Sequence, residues 1–505
     1  MATRTFTYDF SNEVSGFRKK SSFPSGLFIN GEFVDSVDGK TFELINPTTE
    51  KSLGHITVAS EKDIDIAVEA AQKAFDTTWG LHASGQERGK LLIRLAELIE
   101  ENIDELAALE SLDSGKALAF AKSWDVQEAA NVLRYYGGWA DKVHGKTVEV
   151  DEATLAYTRH EPIGVVGQIT PWNFPIWLLS WKLGPALATG NTVVFKPSEW
   201  TPLTALRIAS LIKEAGFPPG VVNIVPGLGN VAGAAISSHM GIEKVAFTGS
   251  TAVGRALMKA AASSNLKRVT LELGGKSPTL ILDDCNLDHA AGWAAFGILA
   301  NQGQVCSAGT RVYVQDSIYD KFMEKFIAVI KRVKVGDPFH PETFQGPQVS
   351  KIQFDRIMNY IDKGKKEGAT CLLGGQQHGT EGYFIQPTIF TDVKPEMTIV
   401  KEEIFGPVGV VAKFSNDEEL IKLANDTVYG LAAAVFSENI SRALKLANAL
   451  KAGTVWVNSY NTIRTNVPFG GYKQSGQGRE LGEYALENYT EVKAVHVNLS
   501  GSPPI

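Results

Sequence analysis

The chain has 505 residues, a net charge of −7, 44% apolar residues and 21% charged residues. That length predicts two or three domains of an ordinary soluble globular protein, and an acidic balance without a basic patch argues against nucleic acid as a partner. Three cysteines with no C-x-x-C pair, and no His cluster at ligand spacing, exclude a disulfide framework and a structural metal site.

No apolar run reaches the ~18 residues a membrane helix needs, and the N-terminus lacks an apolar targeting core. A reducing compartment, the cytoplasm, is the expectation.

Residues 1–25 are polar and read as a loose, flexible arm. Residues 26–34 read as two short strands about an Asn30-Gly31 turn. After Ser60, Ile64, Ala67, Val68, Ala71 and Ala74 recur at helical spacing, and residues 86–102, 103–114 and 118–143 continue as helices. Nothing in this helical region suggests chemistry. Residues 146–160 alternate as a long hairpin, suited either to pairing with another subunit or to a plain surface role.

Short β-branched runs follow at 164–170, 192–196, 221–225, 244–248 and 268–272, with helical segments at 204–214, 231–238 and 251–262 between the later ones. This alternation predicts a parallel sheet covered on both faces, an α/β Rossmann-like domain. Ligands of such sheets sit beyond the carboxyl ends of the strands. Here those ends lead into Thr170-Pro-Trp-Asn173, Lys196-Pro-Ser-Glu199, Pro226-Gly-Leu-Gly229, Thr248-Gly-Ser250 and Glu272-Leu-Gly-Gly275. A second α/β region opens with a strand at 277–282 and a helix to about 300, and alternation continues to about 457. Residues 489–498 alternate again and can pair with the 146–160 hairpin; 501–505 read as a frayed tail.

Cys306 sits among Gly, Ser and amide residues in the stretch Asn301 to Arg311. On that string alone it reads as a small buried core residue. Gly227-Leu-Gly229-Asn-Val-Ala232 and Phe247-Thr-Gly249-Ser250 are Gly-rich strand-to-helix turns, where a helix N-terminus can hold a pyrophosphate. Tight helix–strand packing explains them equally. Lys196 and Glu199 can each bond a ribose hydroxyl, and the carboxylate disfavours a 2′-phosphate, so NAD is expected over NADP. The acid precedes the Gly-rich turns here, unlike the usual fingerprint.

The strings Thr170-Pro-Trp-Asn-Phe-Pro175, Phe195-Lys-Pro-Ser-Glu199, Phe247-Thr-Gly-Ser250, Leu271-Glu-Leu-Gly-Gly-Lys276, Gln302 to Cys306, Glu403-Ile-Phe-Gly-Pro407 and Pro468-Phe-Gly-Gly-Tyr-Lys473 occur in this order. Together they resemble the aldehyde dehydrogenase superfamily, nearest its broad-specificity NAD-dependent, non-acylating branch, from about residue 26 to 498. The resemblance implies Cys306 as nucleophile, Glu272 as general base, and Asn173 with the Cys306 backbone N–H as oxyanion donors. Lys182 and Glu480 resemble a proton relay. It places Lys196 and Glu199 at the adenosine ribose, and Gly249, Ser250 and Val253 at the pyrophosphate. Glu403 and Phe405 fall at the nicotinamide, with Ile169, Trp172, Gly229, Phe247, Leu273 and Gln353 nearby. Phe174, Trp177, Trp181 and Phe469 match the wall of the substrate tunnel.

The implied architecture is a discontinuous NAD-binding domain (1–142 and 163–274), a catalytic domain (275–474) and a small β oligomerisation arm (143–162 and 488–505), assembled as a homotetramer or homodimer. Since an ordinary thiol is mostly protonated at neutral pH, with pKa ~8.5, the site is expected to favour thiolate. An aromatic wall suits an apolar aliphatic or arylalkyl aldehyde, such as acetaldehyde or indole-3-acetaldehyde. Three alternatives compete: a semialdehyde dehydrogenase using Arg464 for a substrate carboxylate, an enzyme passing its thioester to coenzyme A, and a catalytically silent structural relative.

Overall fold

Alternating apolar runs become two twisted, mainly parallel sheets in the computed structural model, which describes residues 4–11 and 17–501. The first sheet runs in the order Gly476–Gln477, Arg268–Glu272, Lys244–Thr248, Val165–Ile169, Thr192–Lys196, Val222–Ile224, Leu27–Ile29, Glu32–Val34. Its five central strands are parallel, and the edge pairs are antiparallel. Val165–Ile169, Thr192–Lys196 and Lys244–Thr248 are buried at every position, as strands of a parallel sheet covered on both faces are. Chain direction reverses its progress across the sheet between Val165–Ile169 and Lys244–Thr248, which makes a topological switch point there.

The second sheet has the order Thr370–Leu373, Thr388–Thr391, Val408–Phe414, Arg311–Gln315, Pro278–Ile281, Ala432–Phe436, Thr454–Val457. Only its Thr370–Leu373 edge is antiparallel. The strand Arg268–Glu272 thus ends the first sheet's parallel run, and Pro278–Ile281 starts the second sheet six residues later in sequence. Glu272 and the loop after it therefore lie where the two sheets meet.

The alternating terminus Thr490–Asn498 does pair with the hairpin Thr147–Asp151 and Thr154–Pro162, in antiparallel register from Thr490↔Pro162 to Asn498↔Thr154. The outer strand Thr147–Asp151 is exposed along its whole length.

Two expectations are corrected. Residues 1–25 are not a loose arm where they are described: Thr5–Asp9 pairs antiparallel with Lys20–Pro24. Phe6, Phe10 and Phe23 are buried against Leu109, Leu112, Leu206 and Phe339, and the Ser21 hydroxyl donates to Glu105 at 2.6 Å. The aromatic alternation of Phe6, Tyr8 and Phe10 was the available signal, masked by the surrounding Ser and Lys. Residues 1–3, 12–16 and the tail from 502 lie outside the described residues.

The helix expected over 118–143 instead has a π-helical turn at Ala121–Val126 before Gln127–Trp139. Such wide turns cluster at functional sites, and this one buries Asp125 against Lys116 while turning Trp124 towards the cavity described below.

Phe10→Ala should lower folding stability by about 3–5 kcal/mol, the usual cost of truncating a buried Phe. A denaturant midpoint unchanged from wild type would return this segment to the status of an arm.

Candidate active site

The loop that presents Cys306 is built under strain. Asn301, Gln302 and Gly303 have φ of 49°, 59° and 71° in succession. Left-handed backbone costs non-glycine residues about 1–3 kcal/mol each, so surrounding contacts must hold it. They do. Gln302 Nε2 donates to the carbonyls of Gly115 and Pro347 at 2.9 and 3.1 Å. Asn301 Nδ2 donates to the Asn173 carbonyl at 2.9 Å, and Gln304 Oε1 accepts the Val349 N–H at 3.1 Å. At Gly303 a Cβ would lie 2.1 Å from the Gly406 carbonyl oxygen, so only glycine fits. Beyond Cys306, the Tyr460 hydroxyl donates to the Ser307 carbonyl at 2.7 Å and Ser307 Oγ donates to Asn461 Oδ1 at 2.8 Å.

Asn173 answers from the first sheet. Its side-chain amide donates to the Gln304 carbonyl at 2.8 Å. The amide has a second N–H, and Asn173 lines the same cavity as Cys306 and Glu272. Behind Asn173, a buried ionic cluster fixes the start of helix Pro175–Ala188. Glu110 accepts the Ile176 N–H at 3.3 Å and the Thr204 hydroxyl at 2.7 Å, and Lys116, paired with Asp125, sits 4.0 Å over the Phe174 ring.

Glu272 ends its strand buried, with Oε2 lacking a hydrogen-bond partner among the described residues. A side chain at Gly470 would come within 2.9 Å of its other oxygen. Burial, then the nearby Glu480 carboxylate, raises the Glu272 pKa well above the carboxylate range. Burial and the Glu403 and Glu272 carboxylates push the Cys306 thiol up to about 12. The expected thiolate-favouring site is therefore corrected: without a cation beside it, this environment keeps the thiol protonated. Desolvation and like charge both oppose the anion.

The cavity has a volume of about 280 Å3 and lies at the switch point between the sheets. Of the residues expected at the cofactor, Trp172, Gly249, Ser250, Leu273, Gln353, Glu403 and Phe405 line it. Glu403 accepts the Gly275 N–H at 2.9 Å, and burial raises it to about 7. Gln353 Nε2 donates to the Phe405 carbonyl at 2.8 Å, and the Phe405 ring stands edge-on to Trp172 at 5.2 Å. Ser250 caps helix Thr251–Ser263, accepting the Val253 N–H at 3.4 Å.

Other expected residues lie outside this lining. Lys196 Nζ contacts Glu199 Oε2 at 3.2 Å in the adjoining loop. Val253 is exposed on its helix, while Ile169 and Phe247 pair in the buried sheet. Gly229 is exposed at the start of the wide turn Gly229–Gly233. Lys182 and Glu480 form a buried pair at 2.6 Å behind the wall.

One wall is a ladder of aromatic rings: Phe174 to Trp177 at 5.6 Å, Trp177 to Trp181 at 5.3 Å, and Trp181 to Phe469 at 5.5 Å. All four expected substrate residues stand in it. Sequence reading missed Trp124, Leu178, Ile463 and Arg356, which also line the cavity. Trp124 came from helices read as chemically silent; its one signal was a lone Trp beside the charged Lys122 and Asp125. Leu178 could have been found, one residue beyond Trp177 on the same helix. Arg464 is exposed and is not among the lining residues. The arginine that does line the cavity, Arg356, donates to the Glu403 carbonyl at 3.1 Å.

A model of the aldehyde dehydrogenase family matches residues 33–495. An aldehyde dehydrogenase of Agaricus bisporus is 62% identical over 495 residues, covering 98% of this chain and 99% of its own length. Among solved structures, the NAD+ complex of a Bacillus cereus aldehyde dehydrogenase has a TM-score of 0.93 at 54% identity, covering 94% of this chain and 96% of that one. An indole-3-acetaldehyde dehydrogenase of P. syringae, solved with NAD+ and IAA, has the same TM-score at 43% identity, covering 94% and 97%. The chain belongs to the aldehyde dehydrogenase family.

Proposed function

We propose that this chain oxidises an apolar aldehyde to its carboxylic acid with NAD, through a thiohemiacetal and then a thioester on Cys306. The observation that carries this is the convergence of Cys306, Glu272 and Asn173 on one cavity with an aromatic wall. NAD in the Bacillus cereus and P. syringae relatives supports the cofactor. The residues here fit it. The N-terminus of the capped helix Thr251–Ser263 suits a pyrophosphate. The Lys196–Glu199 pair suits a ribose diol and repels a 2′-phosphate, and the Glu403 carboxylate, which lines the cavity, suits a second ribose.

NAD held by these residues would supply a hydride acceptor. The chain's own residues do the rest. Cys306 gives its proton to water in the cavity, Sγ attacks the carbonyl carbon, and the carbonyl oxygen gains charge. The second N–H of Asn173 and the Cys306 backbone N–H hold that oxygen; one such donor contributes about 3–4 kcal/mol to the transition state. After hydride loss the acyl group remains on sulfur. Glu272 takes a proton from water, the hydroxide oxygen bonds the acyl carbon, and the C–S bond breaks to release the acid. Burial raises the Glu272 carboxyl above its usual range, which makes its ionised form a stronger base.

The aromatic ladder and the absence of Arg464 from the lining favour a substrate without a second carboxylate, and acetaldehyde or indole-3-acetaldehyde suits it. A water-activating base beside the nucleophile disfavours transfer to coenzyme A. The three unpaired cysteines suit the reducing compartment expected, the cytoplasm. The exposed edge strand Thr147–Asp151 supports pairing between copies, as a homodimer or homotetramer. The two sheets support the NAD-binding and catalytic domains expected from the sequence.

Cys306→Ala should abolish NADH formation while NAD titration by fluorescence stays within about twofold of wild type; aldehyde oxidation at the wild-type rate would remove Cys306 from its role. Glu272→Gln should keep a first-turnover burst of NADH and slow the steady state by about 10²-fold or more, the range for lost general-base catalysis. Equal burst and steady-state behaviour in the two proteins would contradict that assignment. Because the base must be deprotonated, wild-type turnover should fall as pH drops through the raised Glu272 pKa, and Glu272→Gln should flatten that limb. Glu199→Gln should raise the NADP to NAD ratio of kcat/KM by about tenfold, equivalent to about 1.4 kcal/mol; an unchanged ratio would separate Glu199 from cofactor choice.

A further inference from the structure

Helix Ile103–Ser114 stops at Gly115, whose φ of 74° turns the chain left-handed. The Gly115 carbonyl accepts Gln302 Nε2 from the strained loop before Cys306. The next residue, Lys116, is fully buried, and its ammonium meets two groups. It donates to the buried carboxylate of Asp125, and it stands 4.0 Å from the centre of the Phe174 ring. Asp125 supplies the counter-charge that a lysine taken out of water needs. The ring answers to a second force. Its face is negative, so a desolvated ammonium beside it attracts it and fixes where it stands.

That ring belongs to the substrate wall. Phe174 lines the cavity and is the first rung of the aromatic ladder, 5.6 Å from Trp177. Lys116 is not among the lining residues, so it reaches the cavity only through Phe174.

The other half of the pair leads to a second lining residue. Asp125 and Trp124 are neighbours in the wide turn Ala121–Val126. Asp125 goes to Lys116, and Trp124 goes to the cavity. Trp124 is also held edge-on by Phe120 at 5.5 Å and Phe296 at 5.3 Å. Among the described residues it makes no ring contact with Phe174 or Trp177, although all three line one cavity. Trp124 and the ladder are thus two separate aromatic surfaces. Aromatic rings pair at centroid separations of ~4.5–7 Å, so two such surfaces held apart suit a third ring between them.

We propose that the Lys116–Asp125 pair is a positioning strut that spaces Trp124 from Phe174, and that the slot it holds open selects an aldehyde carrying a flat aryl group. The inference rests on the proposed aldehyde oxidation and narrows its substrate class to arylalkyl aldehydes. One strut governs both surfaces: Asp125 through its peptide bond to Trp124, Lys116 through its contact with Phe174. Acetaldehyde has one methyl beyond its carbonyl and nothing to place in the slot. It needs only Cys306, Glu272 and Asn173. Neither Lys116 nor Asp125 touches the substrate, and neither takes part in bond making.

The test compares phenylacetaldehyde with acetaldehyde, with NAD and the full-length protein, by NADH absorbance. Wild type should have the higher kcat/KM for phenylacetaldehyde; the reverse order overturns the aryl slot. Removing one charge alone strands the other, so the variant replaces both, Lys116→Met with Asp125→Asn. Its KM for phenylacetaldehyde should rise about tenfold, the size of one lost aromatic pairing. Its kcat with phenylacetaldehyde and both constants with acetaldehyde should stay within about twofold of wild type. In a Phe174→Leu background one side of the slot is gone, so the same double replacement should change the ratio of the two kcat/KM values by less than about twofold. A further tenfold loss there overturns the strut, because the pair would then act without the ring. An unchanged phenylacetaldehyde KM in the charge variant overturns it as well. Equal losses with both aldehydes do the same, since they mark a general structural role. Phe120→Leu releases Trp124 from its other side without touching the ionic pair. It should raise the phenylacetaldehyde KM about threefold, and an unchanged KM there overturns the slot even where the charge variant fails to fold. A wild-type protein that makes no NADH from either aldehyde overturns the underlying reaction instead, and is told apart by the silence of wild type itself.

Discussion

Two side-chain amides hold the site together across the sheets. Asn173, from the first sheet, donates to the Gln304 carbonyl, and Asn301, from the second, donates back to the Asn173 carbonyl. This reciprocal lock fixes the strained turn at Asn301–Gly303, and that turn sets the direction in which Cys306 emerges. The constraint is expensive in backbone terms, at about 1–3 kcal/mol for each non-glycine left-handed residue. It is offset by buried hydrogen bonds that Gln302 donates to the Gly115 and Pro347 carbonyls and that Gln304 accepts from the Val349 N–H. A loop anchored at so many points cannot drift by an ångström, and covalent catalysis is sensitive to misplacement on that scale.

The same burial that fixes geometry sets the electrostatics. Glu272, Glu403 and Cys306 share one cavity, and each is pushed towards its protonated form. Desolvation is the largest cause in all three cases, and mutual repulsion adds to it for Cys306. On the proposed mechanism this makes the resting site chemically quiet. On that reading, positive charge arriving beside the thiol would lower its pKa by Coulomb attraction. A solvent-exposed thiol with a low pKa would react sooner, but also with oxidants and with the wrong electrophiles.

Much of the fold was legible because its signals are local. The five parallel strands of the first sheet are short runs rich in Val, Ile and Thr, and both ends of Lys244–Thr248 and Arg268–Glu272 fall where the pattern places them. The candidate site was legible through its ordered strings, and Cys306, Glu272, Asn173 and the four aromatic wall residues do meet at one cavity. What escaped depends on long-range context. The Phe6, Phe10 and Phe23 hairpin is ordered by Leu109 and Phe339, far away in sequence. Trp124 lines the cavity only because a wide turn rotates it there, and no periodicity encodes an extra residue per turn. The thiol's protonation preference is set by Glu403 and Glu272, whose approach to Cys306 is a product of the whole fold.

The buried ionic groups divide by what stands beside them. Lys116, Asp125 and Glu110 are knitted to one another, to the Ile176 N–H and to the Thr204 hydroxyl, so their burial buys a fixed start for helix Pro175–Ala188. Removing one partner there would strand a charge, which ordinarily costs about 3–5 kcal/mol. Lys244 is held without a carboxylate in contact among the described residues: it donates to the Thr270 hydroxyl and lies over the Tyr489 ring, and burial lowers it to about 7. A buried charge kept for architecture is paired, because pairing is what makes its burial tolerable.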